Sequence, residues 1–322
     1  MDRRRLTGVA LILVSAAGFG SGSLFAQPVY GAGVDWLVLS SWRFLFGAGL
    51  TWGWLLLSAG RRRGLRALDR RAAIAAVALG VLYVGNSGAY FAGLQTVSPS
   101  LAALIVYIYP ALVAVLSLRI GRRLEGRRAW LALAAALLGV ALSVGGIDPS
   151  HAPPLSGLVL IVASPIIYAV WIVLSARLSG ERGGSVGEPA AKGAGVASAT
   201  ALMMTTTAAI YWVAALSSGR AVLPGAIPSG AWFGLVGVGV LSTFVAIQTF
   251  YAGAQRIGAA QAALISTVEP IWTIALAAIL FSVALTPVQL AGGALILVGV
   301  LIAQTGPSSG RALAPPVRVA DE

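Results

Sequence analysis

Residues 90–110 read YFAGLQTVSPSLAALIVYIYP, and residues 250–270 read FYAGAQRIGAAQAALISTVEP. The two stretches align without a gap at a separation of 160 residues. Both contain Ala-Gly-x-Gln and then Ala-Ala-Leu-Ile, and both end in proline, at Pro110 and Pro270. Apolar helices resemble one another by composition alone, so the argument rests on the shared Gly, Gln and Pro at fixed spacing. These positions indicate an internal repeat.

The composition around this repeat is that of a membrane protein. Of the 322 residues, 58% are apolar and 10% are charged, and the mean hydropathy is +0.89. A soluble domain carries about 25% charged residues. The chain has no cysteine and one histidine, which argues against thiolate metal sites and histidine-based catalytic triads. We therefore expect no metal, no cofactor and no enzymatic activity.

The apolar segments are long enough for ten membrane-spanning helices, since one crossing needs about 20 residues. The predicted helices are Leu6–Phe25, Trp36–Ala59, two within the uncharged run Ala72–Leu118, Ala129–Gly145, Leu155–Ala176, Gly195–Leu216, Ala231–Ala254, Ala259–Phe281 and Pro287–Ala303. Within the uncharged run, Thr96–Pro99 supplies the turn between helices 3 and 4. The predicted fold class is an all-α membrane protein with ten transmembrane helices.

The basic residues lie on alternate loops. All but two of the 22 arginines and lysines fall in clusters that this topology puts on one face, the exceptions being Arg220 and the intramembrane Arg43. The positive-inside rule then predicts a multi-pass protein of the cytoplasmic membrane with both termini in the cytoplasm. Basic clusters between long uncharged runs are typical of membrane loops, so the net charge of +12 does not indicate a nucleic-acid partner.

Five helices in each half is an odd number, so the second half must enter the membrane from the opposite face. Helix 1 also has an internal counterpart, which argues that it is not a cleaved signal peptide. The paired positions are Gly8 with Gly157, Ile12 with Ile161 and Ser15 with Ser164. The predicted units are a first five-helix repeat over 6–145, a second inverted repeat over 155–303 and a disordered cytoplasmic tail over 306–322. Inverted repeats are typical of transporters.

Motifs in order along the chain match one known family. These are Phe19-Gly20-Ser21 in helix 1, Trp42-Arg43-Phe44 in helix 2, Gly93-Leu94-Gln95 through Pro110, and Gly253 through Pro270. On these residues the chain resembles the EamA-type transporters of the drug/metabolite transporter superfamily, over about residues 6 to 303. The family carries an acidic residue after helices 4 and 9. Glu125 fits the first, whereas Ser282-Val283-Ala284 lacks the second. The resemblance implies efflux, or less often uptake, of small metabolites such as amino acids.

Glu269 directly precedes Pro270 near the middle of predicted helix 9. A charged residue at a helix centre costs about 3 kcal/mol on insertion scales, so it normally faces a cavity or a partner. Pro270 lacks a backbone donor and should free a carbonyl about one turn earlier, near Ser266. Two interpretations stay open: Glu269 carries a proton in a coupled cycle, or it is a neutral, hydrogen-bonded packing residue.

Arg43 lies about 10 Å along predicted helix 2 from Trp36, at 1.5 Å per residue. That depth is within reach of the outer interface. One interpretation is a snorkelling or structurally paired side chain. The other is attraction of a substrate carboxylate, or pairing with Glu269 during the cycle.

The other predicted site residues are polar and aromatic positions on helices that surround the central cavity in the family the chain resembles. The predicted substrate-binding residues are Tyr90, Tyr168, Trp171, Asn86, Tyr107, Gln248 and Trp272. A pocket with several aromatic rings suits an apolar or aromatic substrate. Pro110 and Pro270 are predicted to kink their helices.

The favoured function is secondary active transport of a small molecule by alternating access, with export as the expected direction. The expected partners are a small-molecule substrate and the lipid bilayer, and the expected assembly is a monomer or homodimer. The alternatives are an ion-coupled uptake carrier of the same fold and a non-transport intramembrane enzyme. No Gly-rich Lys-Ser/Thr phosphate loop occurs in the sequence, so ATP hydrolysis is not expected.

Overall fold

The computed structural model describes residues 3–66, 68–117, 126–145, 152–178, 194–257, 262, 265–266, 268–282 and 285–304. Regular structure is helical throughout these residues, and no strand occurs among them. The predicted tail 306–322 and Glu125 lie outside the described residues.

Fourteen α-helices and one π-helical segment make up the described regular structure, apart from two short 3-10 turns before α11 and single helical positions before α13. The helices are α1 Arg3–Gly20, α2 Gly22–Gly31, α3 Trp36–Leu56, α4 Ala59–Arg66, α5 Arg70–Gly93, α6 Pro99–Val106, α7 Tyr109–Ser117, α8 Gly126–Gly145, α9 Leu155–Leu178, α10 Ala194–Ser217, α11 Trp232–Val236, the π-helical segment Gly237–Val245, α12 Ala246–Ile257, α13 Val268–Phe281 and α14 Pro287–Gln304.

Several of these helices have the length and composition of membrane spans. Five stretches are long and apolar enough to cross a bilayer: Arg3–Gly31, Arg70–Gly93, Leu155–Leu174, Ala197–Ser217 and Ser229–Ala254. Large apolar side chains such as Phe233, Ile279 and Val213 are mostly exposed on the outer surface, as expected for a surface that faces lipid. The chain is therefore an all-α membrane protein, as predicted.

Polar residues begin three of the helices. The Asp35 side chain accepts hydrogen bonds from the backbone N–H groups of Leu37 at 2.9 Å and Val38 at 3.0 Å, which caps α3. Asp69 caps α5 in the same way. Ser98 caps α6, with Pro99 as its first residue, a position that proline favours. The predicted turn at Thr96–Pro99 is confirmed.

Two helices that the sequence predicts to be continuous are interrupted. The first runs to Gly31 rather than Phe25, and Ser21 separates α1 from α2. The fourth is divided between α6 and α7 by a turn at Tyr107 and Ile108, just before Pro110. Pro110 lacks the backbone N–H group that would donate to the carbonyl of Val106, the last residue of α6, which accounts for the second interruption.

The segment after α3 also differs from the prediction. Helix 2 is predicted to extend to Ala59 and to be followed by a basic loop, whereas α3 ends at Leu56 and α4 forms over Ala59–Arg66. Arginine has a high helix propensity, so a basic stretch at a membrane surface can be helical. Hydropathy alone does not distinguish such a helix from a loop.

The largest apolar core joins α2, α3, α5 and the segment around α11. Trp42 lies in it and donates from Nε1 to the backbone carbonyl of Val222 at 3.0 Å. Its ring lies 4.9 Å from that of Trp232 and 5.4 Å from that of Trp212, centroid to centroid. This core fixes the end of α3 that carries Arg43.

A close glycine contact joins α1 to α12. A Cβ atom at Gly253 would lie 2.7 Å from Ile12 Cδ1 and 3.0 Å from the carbonyl oxygen of Gly8. One helical turn further on, Ser15 Oγ donates to the carbonyl of Ala246 at 2.7 Å. The two helices therefore approach to backbone contact, as small residues allow inside membranes.

A matching contact joins α5 to α9. A Cβ atom at Gly93 would lie 2.7 Å from Ile161 Cδ1 and 3.1 Å from the carbonyl oxygen of Gly157. Nearby, Ser164 Oγ donates to Asn86 Oδ1 at 2.8 Å. Both the residue types and the distances repeat those of the contact between α1 and α12.

A third close contact joins α8 to α14. A Cβ atom at Gly139 would lie 2.5 Å from the carbonyl oxygen of Gly292 and 2.7 Å from Ile296 Cγ1. At the other end of the contact, a Cβ atom at Gly299 would lie 2.7 Å from the carbonyl oxygen of Ala132.

Candidate functional site

Four aromatic side chains from α5, α7 and α9 form a cluster inside the helix bundle, which we call the tyrosine cluster: Tyr83, Tyr109, Tyr168 and Trp171. The Tyr109 and Tyr168 ring centroids are 4.9 Å apart, and Tyr168 stacks on Trp171 at 5.8 Å. Tyr83 meets Trp171 edge to face at 5.4 Å. The cluster presents apolar ring surface together with three hydroxyl groups.

Hydrogen bonds between α5 and α9 hold this cluster in position. Trp171 Nε1 donates to the carbonyl of Leu79 at 3.0 Å. Asn86 is buried and accepts from Ser164, as described above. Both bonds fix the rotation of α9 against α5, and that rotation sets where Tyr168 and Trp171 point.

Glu269 lies at the start of α13, beside the tyrosine cluster. Its carboxyl group is close enough to interact electrostatically with the hydroxyl groups of Tyr90, Tyr107, Tyr109 and Tyr168. No basic side chain pairs with it among the residues that the structure describes. The surroundings of this carboxyl group are therefore mainly aromatic and hydroxylic.

The Tyr107 hydroxyl group donates a hydrogen bond to a backbone carbonyl that Pro270 would leave without its helical donor. Its hydroxyl donates to the backbone carbonyl of Ser266, which is four residues before Pro270 and so lacks the usual helical donor. The freed carbonyl near Ser266 stays a prediction, and this bond would supply it with a donor. Tyr107 lies at the interruption between α6 and α7, so the bond joins that interruption to Ser266.

Arg43 is buried on α3, with 8% of its surface exposed. Its Nε donates to Thr243 Oγ1 at 2.9 Å, and the guanidinium carbon lies 5.0 Å and 4.7 Å from the ring centroids of Phe44 and Phe91. Thr243 belongs to the π-helical segment and donates in turn to the carbonyl of Val238 at 2.9 Å. Short π-helical segments are frequent at functional sites.

The structure brings together five of the seven predicted substrate-binding residues. Tyr107, Tyr168 and Trp171 lie in or beside the tyrosine cluster, and Asn86 and Tyr90 follow on the same helix as Tyr83. Trp272 is 40% exposed, and its Nε1 donates to Ser21 Oγ at 3.0 Å. It therefore braces the interruption between α1 and α2.

Gln248 lies on α12, half-buried, and forms no hydrogen bond to the tyrosine cluster among the described residues. Pro270 is buried as the third residue of α13, and Pro110 is the second residue of α7. Each proline therefore lies in the first turn of its helix.

Tyr83 and Thr243 are not among the residues predicted from the sequence. Tyr83 precedes Asn86 by three residues and Tyr90 by seven, a spacing that puts all three on one helical face. That signal was available in the sequence. Thr243 has no such signal, because its role depends on the π-helical segment and on Arg43 from another helix.

Comparison with known proteins decides the family. Residues 6–145 and 155–305 both match the EamA-like transporter family. The chain belongs to this family. The predicted resemblance to EamA-type transporters is therefore confirmed, and the protein is a membrane transporter by family.

Similar EamA-like proteins are known from archaea and bacteria. The chain is 29% identical to an uncharacterized transporter of Archaeoglobus fulgidus, over 92% of this chain and 96% of that protein. It is 26% identical to the uncharacterized transporter YyaM of Bacillus subtilis, over 82% of this chain and 83% of the relative. A solved crystal structure with 20% identity has a TM-score of 0.62 and covers 93% of this chain and 97% of its own, so the fold is shared.

Proposed function

We propose that this EamA-like protein is a secondary active transporter that exports small metabolites, such as amino acids, across the cytoplasmic membrane by alternating access. The observation that carries the proposal is the interruption between α6 and α7 at Tyr107, whose hydroxyl group bonds to the backbone carbonyl of Ser266, close to Glu269 and the tyrosine cluster. Interrupted helices that expose polar groups at membrane depth are typical of transporter binding sites.

The proposed architecture is ten transmembrane helices in two inverted five-helix repeats, 6–145 and 155–303. The repeated contacts support it. Gly93 and Gly253, and likewise Asn86 and Ala246, are separated by 160 residues. The contact of α1 with α12 therefore uses the same repeat positions as the contact of α9 with α5, with the halves exchanged. A pseudo-twofold relation between halves explains why the distances agree.

Alternating access follows from such a pair of contacts. Each interface joins one helix of one half to one helix of the other, so the halves can rock against each other about the central residues. When one interface tightens, its counterpart on the opposite side of the membrane opens. The site between them would then face each compartment in turn.

The proposed orientation has both termini in the cytoplasm. The basic residues of α4, such as Arg61 and Arg62, and Arg256 at the end of α12 support it through the positive-inside rule. The absence of cysteine from the sequence allows a direct test. Ser308→Cys in the tail should resist a membrane-impermeant maleimide in intact cells, whereas Ser218→Cys after α10 should react. The reverse pattern would contradict the orientation.

Transport itself is tested by counterflow in proteoliposomes. Vesicles preloaded with an unlabelled amino acid should accumulate the radiolabelled one transiently and saturably, and protein-free vesicles should not. A panel covering aromatic, branched and polar amino acids is needed, because the family match does not specify the substrate. If no member of such a panel of metabolites shows saturable counterflow, secondary transport of this class is the wrong proposal.

Glu269 is the proposed coupling residue, because it is a carboxyl group at membrane depth without a basic partner among the described residues. We expect Glu269→Gln to retain counterflow but to lose the response to an imposed pH gradient. Asp69→Asn removes a carboxylate at the cap of α5, away from the tyrosine cluster, and should keep that response. Unchanged pH-gradient coupling in Glu269→Gln would leave Glu269 a packing residue.

A further inference from the structure

The buried guanidinium group of Arg43 has more donors than the protein has acceptors for it. An arginine side chain carries five N–H groups, and only Nε–H of Arg43 has a hydrogen-bond acceptor among the described residues, namely Thr243 Oγ1. The terminal nitrogens have none, although the residue is 8% exposed. They are also not among the fully enclosed atoms without a partner, so part of their surface is accessible.

The protein supplies no counter-ion at this point. The described chain contains three acidic residues, Asp35, Asp69 and Glu269. Asp35 pairs with Arg220 at 2.8 Å and caps α3, and Asp69 caps α5 at the opposite end of the bundle. Glu269 forms no ion pair with Arg43 in this structure. A buried charge without a counter-ion is costly, so an anion from outside the chain would be strongly favoured here.

The nearby face of α2 supplies no counter-ion either. Ser23, Gln27 and Tyr30 follow one another on α2 at spacings of four and three residues, which puts them on one face. The Tyr30 hydroxyl group donates to the backbone carbonyl of Phe91 at 2.7 Å, and the Phe91 ring lies against the guanidinium group of Arg43. This face carries no charged side chain, so it leaves the positive charge of Arg43 uncompensated.

The aromatic rings around Arg43 indicate what else the ligand carries. Phe44, which lies against the guanidinium group, meets Tyr83 edge to face at 5.9 Å. Tyr83 belongs to the tyrosine cluster and meets Tyr168 at 6.5 Å. Ring contacts therefore link the charged group to the tyrosine cluster. Phe44 is buried, so apolar contact with the remainder of a bound molecule would come from the half-buried rings of the tyrosine cluster.

We propose that Arg43 forms the subsite for the carboxylate of a transported organic monoanion, whose apolar or aromatic body lies against the tyrosine cluster. One uncompensated positive charge matches one carboxylate, and the planar guanidinium fork fits it bidentately. The inference rests on the proposed transport function and adds the substrate class at the same site. An amino group on the substrate is not required.

The test compares two probes of the same shape and opposite charge. 3-Phenylpropionate and phenethylamine share a ring and a two-carbon chain, and one ends in a carboxylate and the other in an ammonium group. Binding to the purified full chain in lipid nanodiscs is measured by calorimetry. We expect saturable binding of 3-phenylpropionate and binding of phenethylamine that is weaker by about tenfold or more, the factor given by one lost charge-assisted hydrogen bond.

Variants at the two arginines then assign the binding energy. Arg43→Gln should weaken 3-phenylpropionate binding by about tenfold or more, and Arg43→Lys, which keeps the charge but loses the fork, should lie between. Arg220→Gln, which removes a charge at the exposed ion pair with Asp35, should bind as the natural protein does. If Arg43→Gln does not fold, the proposal is still tested by Arg43→Lys and by comparing the binding of the two probes to the natural protein.

Three results would overturn the proposal: preferred binding of phenethylamine, unchanged binding of 3-phenylpropionate by the Arg43 variants, or no saturable binding of the carboxylate. Each can be separated from a failure of the proposed function. Binding in nanodiscs needs no transport, whereas counterflow in proteoliposomes does. A chain that exchanges amines but not carboxylates is a transporter with another substrate class.

Discussion

Replacing Tyr107 by phenylalanine removes one hydroxyl group and leaves the ring in place. That hydroxyl donates to the carbonyl of Ser266, which has no helical donor because Pro270 lacks an N–H group. Leaving a buried carbonyl without a partner costs about 1–3 kcal/mol, and side-chain hydrogen bonds inside membranes contribute about 0.6–1.7 kcal/mol. We expect Tyr107→Phe to lower the free energy of unfolding by about 1–2 kcal/mol.

A second substitution separates this bond from any other role of the hydroxyl. Pro270→Ala restores a backbone donor four residues after Ser266, so the carbonyl regains its helical partner. In that background Tyr107→Phe should cost less than about 0.5 kcal/mol. The difference between the two costs, about 1 kcal/mol, is the coupling free energy between Tyr107 and Pro270.

The assay is the unfolding equilibrium of purified protein in mixed micelles, titrated with sodium dodecyl sulfate. Tyr109→Phe is the matched control, because it removes a hydroxyl two residues away that has no hydrogen-bond partner among the described residues. It should change stability little. The reasoning is refuted if Tyr107→Phe is as mild as Tyr109→Phe, or if its cost is the same with and without Pro270.

Two further predictions concern stability. Gly139→Ala should destabilise the protein by about 1–3 kcal/mol, because its Cβ atom would lie 2.5 Å from the carbonyl oxygen of Gly292. Gly49→Ala is the control and should be tolerated, because its Cβ atom would have no other atom within 4 Å. Thermal unfolding in detergent measures both variants, and equal melting temperatures would contradict the contact between Gly139 and Gly292. Asp35→Ala should lower the free energy of unfolding by about 1 kcal/mol through loss of the α3 cap. Arg220→Ala should lower it by less, because the Arg220 side chain in their shared ion pair is 54% exposed and exposed ion pairs contribute little. Equal losses for the two variants would show that the cap is unimportant.

The sequence predicts those features that depend on neighbours along the chain. The helical class follows from hydropathy, the turn at Thr96–Pro99 from its residue types, and the free carbonyl of Ser266 from the missing donor of Pro270. Each of these depends on local covalent chemistry. They are readable without knowing which helix packs against which.

The features that the sequence did not predict depend on contacts between distant segments. The interruption at Ser21 is braced by Trp272 and by Thr273 Oγ1, which donates to the carbonyl of Gly20 at 2.8 Å. No residue near Ser21 reveals these partners. The same holds for the π-helical segment, where Thr243 bonds to Arg43 some 200 residues away in the chain.

The geometry of the candidate site is only partly predictable from the sequence for a related reason. Tyr168 and Trp171 were singled out as aromatic residues on one helix, and their stacking with each other follows from their spacing. Gln248 and Trp272 looked equivalent to them by residue type and depth. The rotation of each helix about its axis decides which of these side chains face the tyrosine cluster, and rotation is set by packing.

The π-helical segment Gly237–Val245 has no equivalent in the other half of the chain. The residues 160 positions earlier, 77–85, lie within the regular helix α5. If the two halves exchange conformations during transport, as proposed, this difference makes the two end states unequal in free energy. A gap of about 1.4 kcal/mol already gives a tenfold preference. Without substrate, the protein would then be open mostly to one compartment. The association rate of substrate would therefore differ between the two faces of the membrane.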